Sequence, residues 1–111
     1  MSTREERIGL NEAVFREVNE RIKDLAATFQ LSQDPLDLVC ECGDATCVRR
    51  ISMTRAEYEQ LRSESHQFAV YPGHEIPDVE SVVGKRNGYV VVRKDEGVPE
   101  QIAEQTDPRG S

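Results

Sequence analysis

The sequence predicts an α+β fold: a long N-terminal helix, then a small antiparallel sheet with one short helix, stabilised by zinc. Three observations lead there. Apolar residues recur every three or four positions across 4–29. An Asn87-Gly88 pair, a hairpin signal between strands, precedes the apolar run Tyr89-Val90-Val91-Val92. Three cysteines stand together in Cys40-Glu41-Cys42-Gly43-Asp44-Ala45-Thr46-Cys47, a spacing that suits a metal in a chain with little core to spare. The organisation read from this pattern is an N-terminal amphipathic helix at 1–30, a compact zinc-binding α+β domain at 37–94 and a flexible C-terminal tail at 95–111.

In the first element Ile8, Phe15, Val18, Ile22, Leu25 and Phe29 form an a/d seam, with Asn11 at its one polar d position. Charged residues such as Glu17, Glu20, Arg21 and Asp24 fill the other faces. Two readings follow. The helix packs on its own domain, or it pairs with a second copy or another protein partner. In the paired case Asn11 would fix the register. Asp34 and Pro35 then suit a turn.

Residues 37–42 read as a strand, and 43–46 as a turn. Residues 48–53 read as a second strand, completing a hairpin. Thr54-Arg55-Ala56-Glu57 is a capping box that opens a short helix to about residue 63. Residues 67–71 form a third strand. Pro72-Gly73-His74-Glu75-Ile76-Pro77 is a stiff loop, because its two prolines fix φ. Residues 79–85 read as a weak strand or one helical turn. The unbroken apolar run after Gly88 predicts a strand covered on both faces. The tail can hold a short helix at 99–104.

The chemistry lies in the cysteines. Zinc takes four ligands at tetrahedral angles. Cys40 and Cys42 point to one side of a strand, and a bend at Gly43 brings their sulfurs closer while the turn returns Cys47. His74 completes a Cys3His set, aimed by its constrained loop. His66, at a helix-to-strand junction, is the alternative fourth ligand, and Asp44 a weaker oxygen donor. Redox-active free thiols are the second reading of the cluster, and inert core cysteines the third.

Catalysis is not expected. His74-Glu75-Ile76-Pro77-Asp78 is not H-E-x-x-H, and the deaminase order of H-x-E before P-C-x-x-C is absent. There is no P-loop and no G-x-G-x-x-G. The net charge of −7, from 14 Lys+Arg against 21 Asp+Glu, opposes nucleic-acid binding. Two local basic groups run against that total: Arg49/Arg50/Arg55 and Lys85/Arg86/Arg93/Lys94. They read as solvated sheet edges before they read as a phosphate-binding surface. No window approaches the ~18 apolar residues of a membrane span. The charged start Met-Ser-Thr-Arg-Glu-Glu is unlike a secretory signal, so a cytoplasmic protein is expected.

Three stretches together resemble a group of small uncharacterised actinobacterial proteins: Asn11 through Glu20, the Cys-Glu-Cys-x4-Cys segment, and Phe68-Ala69-Val70-Tyr71-Pro72-Gly73-His74-Glu75 followed by Tyr89-Val90-Val91-Val92. The resemblance covers most of the chain and implies no activity. It joins the thiols and Pro-Gly-His-Glu in one pattern. The cysteines also resemble the start of a SWIM zinc motif, C-x-C-xn-C-x-H, but Arg49 stands where that motif has its histidine.

Overall fold

The computed structural model describes residues 3–28 and 35–109, and these form an α+β fold. Helix α1 (Arg4–Thr28) opens with a capping box: Glu6 N donates to Thr3 Oγ1 and Thr3 N to Glu6 Oε1. Strands β1 (Leu36–Val39) and β2 (Arg50–Met53) pair antiparallel, with Leu38 opposite Ile51. Helix α2 (Arg55–Arg62) begins at the expected Thr54–Glu57 capping box, with both reciprocal bonds made. Strands β3 (Gln67–Val70), β4 (Glu80–Arg86) and β5 (Tyr89–Lys94) form a second antiparallel sheet in the order β3-β5-β4. Asn87-Gly88 turns β4 into β5, with Gly88 at φ 95° as such a turn requires. Helix α3 (Val98–Gln105) follows.

Two sheets therefore stand where one was expected, and both first strands are short. The strand predicted over 37–42 leaves its ladder after Val39. Cys40 N still bonds Arg49 O, but Glu41 N donates across to Ala69 O, at 2.9 Å, in the other sheet. The ribbon 40–42 thus bridges the two sheets, and this is the bend that the sulfurs need.

The central strand β5 is covered on both faces, as its apolar run predicts. Tyr89 and Val91 meet Tyr58, Leu61 and the β1–β2 ribbon. Val90 and Val92 join Phe68, Val70, Cys40, Cys42 and Ala103 on the opposite side. Ala103 belongs to α3, so the short helix expected at 99–104 forms and packs into this core. Pro99 and Ala103 are buried, and α3 lies against α1. Gly9 permits that approach, since a Cβ there would sit 2.8 Å from Ile102 Cγ2.

Of the described residues of its apolar seam, helix α1 fully buries Ile8 alone. Its inward stripe is Ile8, Glu12, Arg16, Asn19 and Ala26. Val18 and Leu25 are exposed, as are Leu10 and Val14. Phe15 and Ile22 are half-buried, and Phe29 lies outside the described residues. The buried stripe holds because each polar member finds a specific partner. Arg16 donates to Ser65 O and Ala103 O, both at 2.7 Å, and its guanidinium stacks 4.5 Å from the Phe68 ring centroid. Glu12 reaches Lys94 Nζ at 2.8 Å, and Lys94 also pairs with Glu80 at 2.9 Å. Asn11 donates to Gly43 O rather than waiting for a second helix.

Candidate metal centre

The four residues of the predicted Cys3His set come together. One ligand atom from each of Cys40, Cys42, Cys47 and His74 lies within 4.8 Å of all the others, so the set could hold a metal ion. His74 Nδ1 is the ring atom that faces the sulfurs, 3.5 Å from Cys47 Sγ and 3.7 Å from Cys40 Sγ. There is no disulfide among them.

Each side chain is placed by a local cause. Cys40 and Cys42 lie on the bridging ribbon and are 1% and 2% exposed. Cys47 returns through a turn held by Asp44, whose carboxylate accepts from Thr46 N at 2.9 Å and Thr46 Oγ1 at 2.7 Å. Gly43 allows the ribbon to pass beneath α1, because a Cβ would stand 2.6 Å from Ile8 Cγ2. His74 is fixed by its own backbone N–H, which donates to Tyr71 O at 2.9 Å, and by edge-on contact with the Tyr71 ring. Glu75 turns its carboxylate onto Gly73 N.

The sulfurs sit in unequal fields. Tyr71 N donates to Cys40 Sγ at 3.1 Å. The Cys40 thiol is nonetheless pushed up, first because it hydrogen-bonds the Cys42 sulfur and then because it is buried. That same bond pulls the Cys42 thiol down. Burial pushes Cys47 up. A cavity of about 300 Å³ opens beside the cluster, with Cys42, Asp44, His74 and Glu75 in its lining.

The rival ligands are committed elsewhere. His66 lies between two carboxylates of α3, with Nε2 at 2.8 Å from Glu104 Oε1 and Nδ1 at 3.6 Å from Glu100 Oε2. Asp44 spends its carboxylate on its own turn, and the Thr46 hydrogen bonds hold it below the usual carboxylate range. The second basic group is split: Lys85 and Arg86 are exposed and Arg93 is half-buried. Lys94 is buried between Glu12 and Glu80. Among the first group, Arg50 pairs with Asp37.

Residues that the spacing did not point to complete the surroundings. Glu41, between two of the cysteines, is fully buried. Its Oε1 accepts from Arg62 Nη2 at 2.7 Å and Ala69 N at 3.0 Å, and its Oε2 accepts from Asn19 Nδ2 at 2.8 Å. The available signal was alternation: inward cysteines at 40 and 42 turn 41 to the opposite side, and that side is packed here. No family model matches the chain, and no curated protein or solved structure matches it either. Among the described residues no helix is long and apolar enough to cross a membrane.

Proposed function

We propose that this protein is a non-enzymatic, zinc-stabilised interaction module with a structural Cys3His site. The spacing of the ligand atoms carries the reading. A tetrahedral zinc with Zn–S of about 2.3 Å and Zn–N of about 2.05 Å separates sulfur from nitrogen by about 3.5 Å. The distances from His74 Nδ1 to the Cys47 and Cys40 sulfurs are 3.5 and 3.7 Å. Three thiolates and an imidazole fill the coordination shell and leave no position for substrate, which supports a structural role over a catalytic one. Three free thiols so close together fit a reducing, cytoplasmic setting.

The interaction role rests on α1. Its outward Leu10, Val14, Val18 and Leu25 follow helical spacing and lie beside the half-buried Phe15 and Ile22. A second copy of this chain or another protein helix is the partner chemistry such a stripe suits. Nucleic acid suits the protein less, because Lys94 is withdrawn into the interior.

Elemental analysis of purified protein tests the metal. One zinc per chain is expected, and none after substitution of Cys42→Ser. A metal-free wild type that is folded and stable would end the reading. Cys47 favours a second, redox-responsive reading, since it alone of the three sulfurs is half-exposed. Modest peroxide would then release zinc, and retention of the metal would leave the purely structural role.

A further inference from the structure

The metal ribbon has two sides, and they alternate residue by residue. Positions 40 and 42 present sulfur. Positions 39, 41 and 43 are held by the scaffold, and α1 supplies a large share of the hold. The Asn19 carboxamide takes both backbone groups of Val39: its Oδ1 accepts from Val39 N, and its Nδ2 donates to Val39 O, each at 2.8 Å. It therefore acts as a one-residue neighbouring strand on the edge of β1 that β2 does not occupy. The same Nδ2 donates to Glu41 Oε2. Eight residues earlier on the same helix, Asn11 Nδ2 donates to Gly43 O at 2.8 Å. Ile8 packs on Gly43 so closely that no side chain fits between them.

We propose that Asn19 and Asn11 are positioning residues for the metal site, so that docking of α1 and binding of the ion reinforce each other. The proposal rests on the Cys3His reading above. A backbone pinned at 39, 41 and 43 has little freedom left at 40 and 42, so the sulfurs are held near their ligating positions before the ion arrives. That pre-organisation appears as affinity. Linkage makes the effect reciprocal: an ion that binds the ordered ribbon more tightly also stabilises whatever orders it, here α1. The chemistry of the interface favours such coupling. The contacts between α1 and the ribbon are mainly hydrogen bonds, which water can replace when the helix lifts, so helix docking can respond to the ion without exposing a large apolar core.

The test compares wild type with N19A, N11A and a control, E12Q, on the same buried face of α1 but directed at Lys94. Zinc affinity is measured by competition with a chromophoric chelator, and the ligand set by the absorption spectrum of the cobalt(II) form. N19A is expected to bind zinc about 10- to 100-fold more weakly, the range typical of residues that orient metal ligands. N11A is expected to show a smaller loss. Both should keep the wild-type cobalt spectrum, because all four ligands remain, and E12Q should keep wild-type affinity. Equal affinity in wild type, N19A and N11A overturns the proposal, as does an equal loss in E12Q. A wild type that takes up neither metal overturns the Cys3His reading itself, which is a separate result. Should N19A fail to fold, hydrogen exchange of the wild-type protein decides. Chelation should raise amide exchange in residues 8–19 together with 39–43. An α1 that stays fully protected while the ribbon opens would show that the two are not coupled.

Discussion

Two carboxylates buried at the inner side of α1, Glu41 and Glu12, are treated differently. Glu41, on the metal ribbon, receives three donors: the Arg62 guanidinium, the Ala69 amide and the Asn19 carboxamide. Glu12, on the helix, has one cation, Lys94, shared with the neighbouring Glu80 carboxylate, which also hydrogen-bonds Glu12. Burial outweighs that one attraction, and Glu12 is pushed up to about 8. A carboxylate can be buried as an anion when donors match its lone pairs. Where one ammonium serves two carboxylates, a proton is the less costly solution.

The largest test of this contrast is removal of the ion. Chelation should loosen the ribbon, and with it the seat of α1, because two of the four candidate ligands, Cys40 and Cys42, come from it and the bonds at 39, 41 and 43 depend on its course. A stability loss of several kcal/mol is expected, visible in thermal melts as a drop of more than ~15 °C. An unchanged melting temperature would mean that protein hydrogen bonds alone hold the ribbon.

Next in size is Arg62→Met. It removes the cationic partner from a carboxylate that is fully buried. A loss of about 3–5 kcal/mol in urea unfolding is expected, the usual consequence of leaving a buried charge uncompensated. Adding Glu41→Gln should recover part of it, since the charge goes while the amide oxygen can still accept from Ala69 N. If the double variant is no better than R62M, the damage lies in packing against Tyr58 and Phe68, which the guanidinium also covers.

The same contrast explains what could be read in the sequence. The fold class, the Asn87-Gly88 hairpin, the α2 capping box and the gathering of Cys40, Cys42, Cys47 and His74 follow from short-range rules: period two along a strand, turn chemistry, a loop stiffened by proline. The buried face of α1 does not. Glu12, Arg16 and Asn19 carry the polarity of solvent-facing residues, and only partners far along the chain make their burial tolerable: Lys94, Ala103 and Val39. The apolar seam therefore left two readings open, packing on its own domain or pairing with a partner, and the helix turns much of it outward. Thr3-x-x-Glu6 was a legible start signal for α1, of the same form as Thr54-x-x-Glu57. The packing of α3 was hidden for the reason that hid the stripe: its small buried Ala103 attracts attention only once Arg16 is seen bonding its carbonyl.

The smallest effect belongs to Glu12 and has a defined sign. Its unfolded value is near 4.5 and its folded value about 8. Between these the folded protein keeps a proton that the unfolded chain has released, so rising pH favours unfolding. Below the lower value Glu12 contributes no slope. Stability should fall as pH climbs through the window, by at most ~1.4 kcal/mol per pH unit, and level off above about 8. Glu12→Gln removes the titrating group while leaving an amide beside Lys94. It should match wild type at pH 4.5 and exceed it by about 1–2 kcal/mol at pH 8.5, less than the whole shift implies, because water can enter before a bare charge is enclosed. Urea unfolding of both proteins across this range measures the difference. Parallel pH profiles would show that Lys94 neutralises Glu12 as fully as three donors serve Glu41, and the distinction between the two ends of α1 would then be one of geometry without charge.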